Sequence, residues 1–144
     1  MDALYLIAHL NGSCVGIDSS AIESIVHVQD VVPVPRCDPS IAGLFALRSR
    51  VLTLIDTQYL VTGVRQIAEK GALAVVVEIA GHQYGLLVDK VEDVVSINAS
   101  QFEDRVKPAA QWTSLVQQTA SVDGRLVMIL DPSSLVGGQT SLAA

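Results

Sequence analysis

The side chains able to do chemistry are few and scattered. His9, His27 and His82 each sit in or beside a strand-like pattern. None has Cys, Asp or Glu at the repeated spacing that marks a zinc site, so no metal is expected. His9 alternates with Ile7 and Tyr5 along one strand face, which suits packing or a surface position. Cys14 and Cys37 form neither a disulfide framework nor a CxxC pair and suit partly buried thiols in a reducing compartment. Cys37 would act as a nucleophile only with a His base brought against it by the fold. Gly12-Ser13-Cys14 lacks the spacing of a Gly-x-Ser-x-Gly turn, and no glycine-rich loop leads into a helix and a lysine. The acid pairs Glu92-Asp93 and Glu103-Asp104 are adjacent in sequence. Neighbours on a strand point to opposite faces, so such pairs do not converge on one bond. Neither catalysis nor a cofactor is expected.

What remains is binding through a surface. Leu47-Arg48-Ser49-Arg50-Val51 would place Arg48 and Arg50 on one face of a regular strand, with Leu47 and Val51 on the other. That face either meets a partner or is simply solvated. Arginine suits interfaces because its planar fork orients hydrogen bonds while its stem packs on apolar surface.

The elements that must hold these residues are short strands. The chain has 144 residues, half of them hydrophobic and only 17% charged, with aromatics at 4%. Mean hydropathy is +0.45. Such a chain fills a core built from Val, Leu, Ile and Ala and is not disordered. Nine basic against fifteen acidic residues give a net charge of −6, which disfavours nucleic acid and anionic membranes. Apolar runs are short, whereas a spanning helix needs about 20 residues. The start, Met1-Asp2-Ala3, lacks the basic residues of a secretory signal. A cytoplasmic protein without direct membrane insertion is expected.

Strand patterns cover 4–10, 13–17, 26–29, 51–55, 72–79, 84–88, 91–97, 120–122 and 125–130. Asn11-Gly12, Gly81-His82 and Asp123-Gly124 are the hairpin turns. Asp18-Ser19-Ser20 caps a short helical turn that carries Ile22 and Ile25 inward, and Asp131-Pro132 starts a final short helix. Segment 58–71 reads as a loop with room for one helical turn, and 101–119 as a long loop. Gly16-Ile17-Asp18 with Ile22-Glu23-Ser24-Ile25-Val26 is echoed in the second half by Gly85-Leu86-Leu87 with Val91-Glu92-Asp93-Val94-Val95. The segment ending Leu54-Ile55-Asp56 with Leu60-Val61 is echoed, at a slightly larger shift, by Ile129-Leu130-Asp131 with Leu135-Val136. Two similar β units sharing an apolar interface are expected, with Gly16 and Gly85 in equivalent places. Their bounds are 1–70 and 71–136 within a single domain, 1–144.

Laid end to end, these segments resemble the CheW family, the coupling proteins of bacterial chemotaxis. The resemblance rests on Gly16-Ile17-Asp18 and Ile22-Glu23-Ser24-Ile25, on Val32-Pro33-Val34-Pro35, and on Ile41-Ala42-Gly43-Leu44-Phe45-Ala46-Leu47-Arg48-Ser49. It continues through Leu54-Ile55-Asp56-Thr57-Gln58, 85–94 and 124–131. It implies an all-β fold of two SH3-like five-stranded barrels packed on each other, with short helices. It also implies a non-catalytic adaptor joining the regulatory domain of a CheA-like histidine kinase to the cytoplasmic tips of chemoreceptors. Ile22, Val91 and Val94 would then line an apolar receptor surface between the barrels, with Gly43 and Gly85 permitting close backbone approach. Ser24, Leu47 and Arg48 would complete the protein-binding set.

Several positions depart from the family pattern. Ala46 and Ser49 replace the Asn and Gly around Leu-Arg, Thr57 and Gln58 replace Leu and Arg, and Ser24 stands where Glu is usual. Arg50 is an added cation. These changes fit a divergent member serving a specialised array, such as a pilus pathway. Two other readings remain open: an SH3-like barrel protein that binds a small ligand between its halves, and a thiol enzyme using Cys37.

Overall fold

The computed structural model describes residues 3–35, 39–66, 70–103, 112 and 115–136. Ten strands appear in order: β1 Ala3–Leu10, β2 Ser13–Asp18, β3 Ile22–Val28, β4 Ile41–Leu47, β5 Arg50–Ile55, β6 Ala72–Ile79, β7 His82–Val88, β8 Lys90–Ile97, β9 Val116–Val122 and β10 Arg125–Leu130. Two short helices, α1 Thr57–Thr62 and α2 Pro132–Val136, follow β5 and β10. Tight turns close the hairpins. Asn11 and Gly12, Ala80 and Gly81, and Asp123 and Gly124 all have positive φ, as a two-residue turn matched to strand twist requires. The second turn therefore falls one position earlier than expected.

The strands form two five-stranded sheets, β8-β1-β2-β10-β9 and β3-β6-β7-β5-β4. The echo is structural. The shift that takes Gly16 to Gly85 carries β1, β2 and β3 onto β6, β7 and β8, and the shift that takes Asp56 to Asp131 carries β4 and β5 onto β9 and β10. Gly16 lies between Ile7 and Ile129, and Gly85 lies between Val76 and Leu54, each with one antiparallel and one parallel neighbour. The two glycines are equivalent, as expected.

The division into barrels at residue 70 does not hold. The sheet of β1 and β2 is completed by β8, β9 and β10, and the sheet of β6 and β7 by β3, β4 and β5. Each barrel takes two strands from one repeat and three from the other. The repeats are exchanged, so neither contiguous half contains a whole barrel.

This exchange explains the unbroken apolar runs. Along β1, Tyr5 and Ile7 fill the first barrel with Ile97, Ala120, Val127 and Ile129. Leu6, Ala8 and Leu10 face the other way, into a core shared with Val75, Val77, Tyr84 and Leu86. In β6, Ala74 and Val76 fill the second barrel with Phe45, Leu52 and Leu54, while Val75 and Val77 join the shared core. A strand buried on both faces cannot alternate apolar and polar. The space between the sheets is thus packed with side chains, which does not favour the small-ligand reading.

Three local expectations need correction. Ile41–Leu47 is a strand, and β9 begins at Val116, inside a segment read as loop. Ile25 is 41% exposed and does not point inward. Arg48 has φ +59 and occupies the β4–β5 turn, so it shares no strand face with Arg50. Cys37 and Asp104 lie outside the described residues.

Candidate functional site

The polar side chains gather at one end of each barrel. In both barrels a β-bulge puts them there. The β3–β6 register slips between Ile22 and Ser24, and the β1–β8 register slips at the equivalent place, around Glu92. A bulge inserts a residue and re-aims its side chain. Glu23 and Glu92 are the two residues so placed, and the shift that relates Gly16 to Gly85 relates them too.

At the second barrel, Glu23 accepts a hydrogen bond from the Gln83 amide. Glu78 lies directly opposite Gln83 across the β6–β7 pair. A hydrogen bond to Glu78 raises the Glu23 pKa above its ordinary value; desolvation and repulsion from Glu78 add to this, and Arg50 opposes it. Glu23 therefore holds a proton more firmly than a free carboxyl would. Beside the two acids opens a cleft of about 350 Å³ lined by Glu23, Ser24, Leu47, Arg48, Ser49, Arg50 and Gln83. Three of the expected binding residues, Ser24, Leu47 and Arg48, thus meet on one surface.

Arg48 is the unusual member. It is exposed at the tip of the β4–β5 turn and holds a left-handed conformation that L-residues other than Asn and Asp seldom adopt. Among the described residues it forms no ion pair. Its positive φ is the one that Asn11, Ala80 and Asp123 take at the first position of their own two-residue turns, so the backbone serves the hairpin and leaves the side chain at the surface.

The other expected residues lie elsewhere. Ile22 and Val91 are equivalent positions, both partly buried against the shared core. Val94 is 51% exposed and sits opposite Leu6, so it borders the inter-barrel face. The glycines do not open onto a partner. A Cβ on Gly43 would lie 2.6 Å from the Val32 carbonyl oxygen, and one on Gly85 would lie 2.7 Å from Phe45. The chain itself occupies both approaches: the Val32 segment bridges to Leu44 over Gly43, and Phe45 fills the barrel beside Gly85.

At the first barrel the equivalent positions hold other chemistry. Glu78, Gln83, Glu23 and Arg50 correspond to His9, Cys14, Glu92 and Arg125 under the same two shifts. His9 and Cys14 face each other across the β1–β2 hairpin. Glu92 contacts His9 Nε2 and accepts both arms of the Arg125 guanidinium, at 3.0 and 3.2 Å. Its pKa is lowered to about 2, chiefly by the Arg125 hydrogen bonds and then by His9. Reading the residues singly missed both clusters. The repeat relates Glu23 to Glu92, but the neighbours of each come from sheet order.

A testable pH effect follows. A carboxylate whose folded-state pKa lies below its unfolded value adds stability above the unfolded value, and that stability fades as pH falls toward the folded value. The window therefore runs from the ordinary 4.5 down to about 2. In urea unfolding, Arg125→Ala should be less stable than the wild type above this window, and the gap should close on acidification. A gap independent of pH would refute the ion-pair account.

Comparison with known proteins places the chain. A family model described as "CheW-like domain" matches residues 4–139. The chain is 24% identical over 119 residues to a chemotaxis protein CheW of Thermotoga maritima, covering 83% of this chain and 78% of that one. It is 22% identical over 140 residues to a Bacillus subtilis chemotaxis protein CheW, covering 96% and 90%. Its fold is similar to the crystal structure of the scaffolding protein TtCheW from Thermoanaerobacter tengcongensis, with a TM-score of 0.82 at 22% identity over 99% and 93% of the two chains.

Proposed function

The chain belongs to the CheW family, and from that premise we propose that it is a chemotaxis coupling adaptor joining chemoreceptor tips to the regulatory domain of a CheA-like kinase. Its action is geometric. Two rigid barrels locked by one core hold two partners in fixed register, so receptor state reaches the kinase without chemistry in the adaptor. Among the described residues no helix is long and apolar enough to cross a membrane, so receptors supply the link to one. The adaptor works in the cytoplasm at the arrays that receptors form.

The observation that carries this reading is Arg48: exposed, without an ion pair among the described residues, and held in a left-handed turn beside the cleft. Such a cation suits an acidic or carbonyl-rich partner surface, and Leu47 and Val51 supply apolar contact on either side. The test is binding of the purified chain to the regulatory domain of a CheA-like kinase and to a receptor tip, each measured separately. Failure to bind either would overturn the proposal.

Val94 serves as a second probe. It is half exposed, and so is its equivalent Ile25 at 41%. Val94→Lys should leave the melting temperature within a few degrees of wild type, because an exposed substitution costs about 0.5 kcal/mol or less. Receptor-tip affinity should fall about tenfold, since the lysine must be desolvated on docking. Unchanged affinity would remove Val94 from the receptor surface.

A further inference from the structure

We propose that the mouth of the first barrel is a site for a divalent transition-metal ion of the zinc class, held by His9 Nε2, the Cys14 thiolate and the Glu92 carboxylate. The proposal stands independently of the adaptor reading. One ligand atom from each of the three residues lies within 4.8 Å of the others. An imidazole, a thiolate and a carboxylate are the donor types that zinc takes, and three protein ligands leave the fourth tetrahedral position to water. Hard cations such as calcium and magnesium would need oxygens instead.

The fold presents these donors on a rigid frame. They come from three neighbouring strands, β8, β1 and β2, in sheet order. His9 and Cys14 are fixed opposite each other by the Asn11-Gly12 hairpin, and the Gly12 N–H is tied to Asp89 at 3.1 Å. The bulge aims Glu92 at His9. An ion at this place would rivet edge strand β8 to the hairpin.

Arg125 does not block the site. A carboxylate offers about four lone-pair positions, and Arg125 takes one on each oxygen. It would act as the outer partner that orients a ligating carboxylate. Zinc, two anionic ligands and the guanidinium sum to a single positive charge. Binding displaces the thiol proton to solvent, together with whatever proton His9 Nε2 carries. The equivalent mouth of the second barrel offers only Glu78, Gln83 and Glu23, two carboxylates and an amide. It serves as an internal contrast.

The experiment titrates the full chain with zinc chloride by calorimetry and with cobalt chloride by absorbance, using Cys14→Ser, His9→Gln and Cys37→Ser. Wild type and Cys37→Ser should bind one ion and show a thiolate-to-cobalt charge-transfer band, and zinc should raise their melting temperature. Cys14→Ser should lose the band and at least tenfold in zinc affinity, and His9→Gln should lose affinity similarly. Cys14→Ala, with its apo melting temperature measured, controls for misfolding. The proposal is overturned if wild type binds no stoichiometric zinc. It is overturned equally if the folded Cys14 variants bind as wild type does, or if the band follows Cys37.

Discussion

Gly85→Val is expected to destabilise the protein by about 3 kcal/mol, the upper part of the usual range for forcing bulk into a packed core. For a chain of this size that lowers the melting temperature by roughly 10 °C. The cause is local and named. A Cβ at Gly85 would sit 2.7 and 2.8 Å from two carbons of the Phe45 ring, which is 3% exposed and has nowhere to move. The equivalent Gly16 meets the terminal methyl of Ile129 at 2.9 Å, the end of a flexible side chain, and Val127 at 3.2 Å. Gly16→Val should therefore cost less than Gly85→Val despite identical position in the repeat. Urea unfolding of both variants checks the order. Phe45→Leu supplies the proof of mechanism. Alone it destabilises by leaving a void, but combined with Gly85→Val it should be far less harmful than the two separate losses summed, by a coupling of about 1 kcal/mol or more. Additive losses would mean that the clash with the ring is not the cause.

Those glycines also show what residue order can and cannot reveal. The repeat was readable because equivalent strands carry the same packing demands: a glycine in the central strand of each sheet, a Glu at each bulge, an Asp capping each short helix. Asp56 accepts from the Tyr59 N–H at 3.0 Å, and its counterpart Asp131 accepts from the Ser133 N–H at 3.1 Å. The exchange of strands between the repeats was not readable. Val and Ile patterns state that β1 and β6 are buried on both faces, but not which strands flank them. Pairing is a long-range choice, decided by packing in the folded chain and not by local preference. Ile41–Leu47 was missed for a related reason. Its Gly43 and Ala46 dilute the apolar alternation, and its pairing with Arg50–Ile55 is what makes it a strand. At the candidate site, Arg48 was legible as a residue type, while its turn conformation was not. In the cluster of His9, Cys14 and Glu92, the acid comes from the opposite half of the chain. Only sheet order brings it to the other two.

Arg48→Glu should weaken binding of the kinase regulatory domain or the receptor tip about 100-fold, the effect of reversing a charge at a central interface contact. The melting temperature should hardly change, because Arg48 is exposed and forms no ion pair among the described residues. Arg48→Gly separates function from folding more sharply. Glycine adopts φ +59 freely, so removing the arginine should stabilise the turn by up to about 1 kcal/mol. The same variant should lose most of the affinity that Arg48→Glu loses. A residue kept for structure cannot give that combination, since its removal would lower stability. Arg48→Lys refines the point: it keeps the charge and loses the planar fork, so intermediate affinity would identify oriented hydrogen bonds to the partner as part of the contact. If Arg48→Glu binds both partners as wild type does, the cleft beside Ser24 and Leu47 is not the coupling surface. The exposed apolar face around Val94 would then have to carry both partners. A single edge strand, β8, would be shared between them, and Val94→Lys would weaken binding of both.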